Sequence, residues 1–127
     1  MICEDSVLDL KECYTPLMPV YNIYVHFLNS DCTEEQNRFA FVPDIVHLGF
    51  KKEQIYLTPP NPTDYSDAHY CIDSLEGECF KLIPRLPKER VWIVSNNPQV
   101  RDLAERLGYV VFQKNGIAAR LRDAFPK

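Results

Sequence analysis

Apolar and polar positions along this chain switch repeatedly between a period of two and a period near 3.6, and the switches mark out its elements. From Tyr21 to Leu28 (YNIYVHFL) β-branched and aromatic residues put apolar groups on both faces, as a buried strand of a parallel sheet requires. Thr33 followed by Gln36 forms a capping-box signature, predicting a helix that carries Phe39 and Ala40 inward until Pro43 interrupts it. Gln54–Thr58 reads as a second strand, closed by the stiff run Pro59, Pro60, Asn61, Pro62. A helix is then predicted from Asp64, Ser66 and Asp67, because Ala68, Cys71, Ile72, Leu75, Cys79 and Leu82 follow helical spacing. Val91–Val94 (VWIV) is the clearest buried strand, followed by the turn Ser95-Asn96-Asn97-Pro98. After it comes a helix with Val100, Leu103, Ala104 and Leu107 on one face, stopped by Gly108. Tyr109–Phe112 and a helix carrying Ile117, Leu121 and Phe125 complete the pattern.

This β-α alternation predicts an α/β protein, a Rossmannoid three-layer α/β/α domain with a mainly parallel four- to five-stranded sheet, because each parallel crossover must return over a face of the sheet. The domain is expected over 21–127. Residues 1–20, which include Pro16 and Pro19, show no sustained period and read as an irregular lead-in packed on it.

At 127 residues, 46% hydrophobic and 25% charged, the chain suits one globular core, and no apolar run is long enough to span a bilayer. The start, with Glu4 and Asp5, lacks the basic and apolar regions of an export signal. Five cysteines without CxxC spacing point to reduced thiols, hence to cytoplasm or nucleus, and argue against a zinc site. The net charge of −4 excludes general attraction to nucleic acid, so RNA contact would need a local basic patch. No DNA-specific motif is present.

In open parallel sheets ligands bind beyond the carboxyl ends of the strands, which directs attention to Asn29-Ser30-Asp31, the loop reaching Asp64 and Asp67, and Ser95-Asn96-Asn97. Asp31, Asp64 and Asp67 are the candidate ligands for magnesium or manganese, hard cations that take oxygen donors and activate water. Asn97 brings no charge, so a site depending on it binds metal weakly. Each feature also has a purely structural reading. Asp64 and Ser66 are ordinary helix caps, Asn96-Asn97-Pro98 is a good turn and N-cap, and His26 suits a core histidine. Arg101, Arg106, Arg120, Arg122 and Lys114 make the last third basic, as solvated helix faces or as phosphate contacts.

The stretch from Asn61 to Phe125, with its helix-start aspartate, VSNN strand end and LAERLG helix end, resembles the NYN branch of the PIN-like ribonucleases. That resemblance implies a metal-dependent endoribonuclease fold with acidic ligands at the strand ends. Carried onto this chain, the first-strand acid falls near Asn29, the helix-start acid at Asp67 with Asp64 beside it, and the strand-end Ser-Asn-Asp on Ser95-Asn96-Asn97. With Asp67, Asp64 and Asn97 in the catalytic positions, two family acids become asparagine. The resemblance then implies a domain of RNA metabolism with impaired or absent nuclease activity, acting as an RNA- or protein-binding scaffold. Asn29, Ser95, Asn96, Arg101 and Lys114 would be its binding residues. A protein partner or self-association is expected, and Tyr14, Leu17, Met18, Val20 and Tyr21 offer an apolar stretch that covers the sheet or docks. Two alternatives stand beside it: an active divalent-metal endoribonuclease, and a haloacid-dehalogenase-like phosphatase fold. The second lacks its nucleophilic Asp-x-Asp. The Gly-x-Gly-x-x-Gly and Gly-x-Ser-x-Gly motifs are also missing.

Overall fold

The computed structural model describes residues 1–29, 32–61 and 68–126, together with the backbone but not the side chain of residue 76. Its centre is a six-stranded sheet, all parallel, in the order β3-β2-β1-β4-β5-β6. The strands are β1 (Ile2–Glu4), β2 (Val25–Phe27), β3 (Ile55–Tyr56), β4 (Tyr70–Ile72), β5 (Val91–Val94) and β6 (Val110–Phe112). The α/β class and layered architecture match the expectation, with six strands in place of four or five.

Two expected elements are corrected. The lead-in is not irregular throughout, because Ile2–Glu4 forms a central strand hydrogen-bonded between β2 and β4. Three residues are too few to display a period, and burial on both sides removes any alternation. The helix expected across 68–82 is instead β4 followed by a helical turn and the short α4 (Cys79–Leu82). An apolar triplet such as Tyr70-Cys71-Ile72 satisfies both periods locally, and only pairing with β1 and β5 decides between them. Cys71 and Cys79 are both buried, but on opposite faces of the sheet.

Alternation along the strands feeds two cores. Ile2, Val25, Phe27, Cys71 and Val94 face one layer, built from α1 (Val7–Asp9) with the π-helical turn after it, α3 (Val42–His47) and α6 (Ile117–Ala124). Tyr70, Ile72, Val91 and Ile93 face the other, built from α4 and α5 (Pro98–Arg106). The expected docking stretch resolves as core in part, since Tyr14 and Leu17 are buried against the first layer. The capping box of α2 (Glu34–Ala40) forms as predicted, with Thr33 and Gln36 bonding reciprocally. Phe39, however, points outward at 82% exposure, and Leu103 and Leu107 are also exposed. The helical period places Asn37, not Phe39, on the buried side of α2.

Candidate functional site

In this strand order the chain leaves β1 toward β2 on one side, while β4 lies on the other, so the order reverses between β1 and β4. Helices diverge to opposite faces there, leaving an opening beyond the carboxyl ends of the two strands. The register pairs Ile2 with Cys71 and Cys3 with Ile72, and Asp73 N–H donates to Cys3 O at 3.0 Å. One step further sets Glu4 beside Asp73, and the two-residue alternation turns both toward the layer of α1 and α6. Glu4, Asp5 and Asp73 each offer an oxygen within 4.8 Å of the others.

Lys114 completes the group. It lies two residues beyond Phe112 of β6 and reaches back across the end of β5. Its Nζ is 3.3 Å from Glu4 and 2.9 Å from Asp73, and it also pairs with Asp9 at the end of α1. The side chains are little exposed, at 1% for Glu4 and 11% for Lys114. Lys114 is held by its backbone, since its N–H donates to Asn96 Oδ1 at 3.0 Å. A polar cavity of about 290 Å³ opens beside it, between Asp9, Asn96 and Gly116.

Burial dominates the electrostatics. It pushes the Glu4 carboxyl up to about 10, with the neighbouring Asp73 adding to the rise and Lys114 opposing it. Burial and a shared hydrogen bond with Asp73 lift Asp5 to about 6. Lys114 moves above the usual lysine range: burial works against its charge, but Glu4, Asp9 and Asp73 outweigh it. The group therefore holds excess negative potential that a single lysine only partly neutralises. Leu75 adds a backbone feature. Its φ of +49° is unusual for a non-glycine residue and costs on the order of 1 kcal/mol. Its N–H donates to Asp73 Oδ2 at 3.4 Å, which ties that conformation to the carboxylate's position.

The residues singled out from sequence are distributed unevenly around this site. Asp31, Asp64 and Asp67 lie outside the described residues. Asn97 caps α5, its Oδ1 accepting from the N–H groups of Gln99 and Val100. Ser95 Oγ accepts from Asn97 N–H, and Arg101 donates to Ser95 O at 2.8 Å, so these residues shape the turn after β5. Asn29 O accepts from Asn37 Nδ2 beyond β2. Among the described residues, Asn96 and Lys114 are the expected ones that reach the carboxylates, Asn96 through the Lys114 backbone. Glu4, Asp5 and Asp73 were missed because they follow the two strands that were not recognised. The signal available was an acid directly after an apolar pair in MICED and in YCID.

No known family model, curated protein or solved structure matches this chain. Among the described residues no helix is long and apolar enough to cross a membrane.

Proposed function

We propose that the chain is a divalent-cation-dependent phosphodiesterase of the PIN-like type, acting on single-stranded RNA through Glu4, Asp5 and Asp73. One observation carries the reading: three carboxylates from the ends of β1 and β4 converge at the reversal of strand order, where burial raises Glu4 and Asp5 above the ordinary carboxylate range. Their all-oxygen, anionic donor set suits magnesium or manganese. A cation there would supply Lewis-acid charge and a water of lowered pKa. Glu4 and Asp73 would hold it, and Asp5, the most accessible of the three, is placed to orient or deprotonate water on the solvent side. Lys114 would face a phosphate once the carboxylates are otherwise neutralised. Glu4, Asp5 and Asp73 stand beside the expected set of Asp31, Asp64 and Asp67, which lies outside the described residues, and their three carboxylates favour activity over its loss.

A second reading rests on the same lysine. Lys114 Nζ stands against both Glu4 and Asp73, where a cation would be held, so it can act as a permanent counter-charge in an inactive scaffold. Exposed Leu103, Leu107 and Val110, at the edge-strand side of the sheet, would then serve a protein partner or self-association. A haloacid-dehalogenase-type phosphatase has less support, since β1 runs into Glu4-Asp5-Ser6 with no Asp-x-Asp. Five unpaired cysteines favour a reducing compartment, cytoplasm or nucleus.

The test is cleavage of end-labelled single-stranded RNA with manganese or magnesium, run beside isothermal titration of manganese. The phosphodiesterase reading expects cation-dependent cleavage that falls at least about a hundredfold in Asp73→Asn, roughly 3 kcal/mol of transition-state stabilisation. Absence of cleavage with enzyme in excess, together with absent manganese binding, would establish the scaffold reading.

A further inference from the structure

A second cavity, of about 330 Å³, lies beyond the carboxyl ends of β2, β3 and β4 and is not accounted for by cation binding. Leu28 beyond β2, Leu57 beyond β3, Leu75 beyond β4 and Leu82 of α4 form its apolar walls. Since β1 runs between β2 and β4, the cavity spans the end of the strand that carries Glu4. Leu75, in its wall, is the residue whose N–H bonds Asp73.

Asn37 of α2 also lines this cavity, and its environment is incomplete. It is 4% exposed, and its Nδ2 donates to Asn29 O at 3.2 Å. That bond fixes the amide's orientation, because the flipped form would set oxygen against oxygen. Its Oδ1 accepts no hydrogen bond among the described residues. Buried acceptors without partners are disfavoured, and the missing partner must be a donor. At the rim, Arg85 is exposed and forms no ion pair among the described residues, whereas Lys81 is paired with Glu78. The site thus offers an aliphatic slot, one buried acceptor and the Arg85 cation at its mouth, where Glu34 and Glu78 are already paired with Arg38 and Lys81.

We propose that this cavity seats one base of a single-stranded nucleic acid, with an exocyclic amino group donating to Asn37 Oδ1 and Arg85 meeting an adjoining phosphate. The inference rests on the phosphodiesterase reading and names the feature of its substrate that the protein recognises. The volume lies at the lower end for small-ligand pockets, fitting a single nucleotide unit better than a folded partner. Apolar side chains on both sides of a planar base replace the stacking it loses on leaving the strand. Adenine, cytosine and guanine carry the required amino donor. Uracil presents only a ring N–H flanked by carbonyl oxygens, which the Asn37 oxygen repels, so it should bind more weakly.

The test uses the isotopically labelled full chain without added metal, titrated in NMR with AMP, CMP, UMP and ribose 5-phosphate. AMP and CMP should shift the Asn37 side-chain amide and the methyls of Leu57, Leu75 and Leu82, binding about tenfold more tightly than UMP. Ribose 5-phosphate should leave those methyls unmoved. Arg85→Ala, at an exposed position, should weaken every nucleotide about equally and keep the preference. Asn37→Leu should erase the preference. If that variant does not fold by circular dichroism, Leu57→Trp, which fills the slot from a half-buried position, should abolish the methyl shifts. Equal binding of UMP, equal binding of ribose 5-phosphate, or shifts confined to other surfaces would overturn the proposal. Nucleotide shifts without RNA cleavage would remove the phosphodiesterase reading alone. Cleavage without shifts in the cavity would remove this inference alone.

Discussion

Replacing Lys114 with methionine tests the electrostatic logic of the site directly. The substitution keeps the aliphatic stem and removes one positive charge from among Glu4, Asp9 and Asp73. Breaking a buried pair from one side costs roughly 3 to 5 kcal/mol, because it leaves charge uncompensated. Glu4 already carries its proton at pH 8, since burial holds its carboxyl at about 10, so it adds no charge to what the loss of Lys114 leaves unpaired. The expected loss at pH 8 is therefore near the lower bound, ~3 kcal/mol. The pH dependence follows from the direction of the shifts. Glu4 and Asp5 have folded-state values above their ordinary ones, so the folded chain binds more protons than the unfolded chain between those values. Their contribution to stability is then fully present below the ordinary carboxylate range and falls as pH rises, through about 6 for Asp5 and toward about 10 for Glu4. Lys114, raised in turn, keeps its charge through neutral pH, so its own contribution is constant there while its field holds the Asp5 value down. Without it the decline steepens, so urea unfolding should show a deficit that grows from about 1 kcal/mol at pH 5 to ~3 kcal/mol at pH 8. Saturating manganese should recover much of it, about 2.7 kcal/mol at a hundred times the dissociation constant. A deficit below about 0.5 kcal/mol, in the range of exposed ion pairs, or one that does not vary with pH, would refute the reasoning.

Further outcomes follow from other parts of the fold. In the unaltered chain, the rise in melting temperature produced by manganese should shrink as pH falls below about 6, where Asp5 takes up its proton; scanning calorimetry across pH 5 to 8 reads this. Asn97→Ala should cost ~1 kcal/mol through loss of the α5 cap, measured by urea titration, while cleavage per folded molecule stays within about twofold. Gly108→Ala should destabilise by ~1 kcal/mol or more in the same assay, because its φ of +90° is strained for any side chain and the added Cβ would stand 2.9 Å from Lys88 Nζ. Phe39→Ser should change stability by less than about 0.5 kcal/mol, against ~3 to 5 kcal/mol for the fully buried Phe27→Ala.

Local chemistry in the sequence carried the class of fold and several of its junctions. The Thr33 capping box, the Asn97-Pro98 start of α5, the buried VWIV strand and the Gly108 stop all act within a few residues of themselves, so they read correctly one segment at a time. The elements that build the site do not act that way. Ile2–Glu4 and Tyr70–Ile72 are three-residue strands whose pairing with each other joins positions about 70 apart, and segments so short satisfy a helical period as readily as a strand. No local pattern marks these two strands, so none marks the acids at their ends, whereas Asp31, Asp64 and Asp67, which lie outside the described residues, follow segments whose pattern is plain. Tertiary pairing alone placed Glu4 beside Asp73 and brought Lys114 to them from the far end of the chain. The sequence by itself determined that a parallel sheet would form, which directs attention to its carboxyl edge. Which carboxylates stand there was decided by strand register, because register depends on contacts between distant segments that no local pattern encodes.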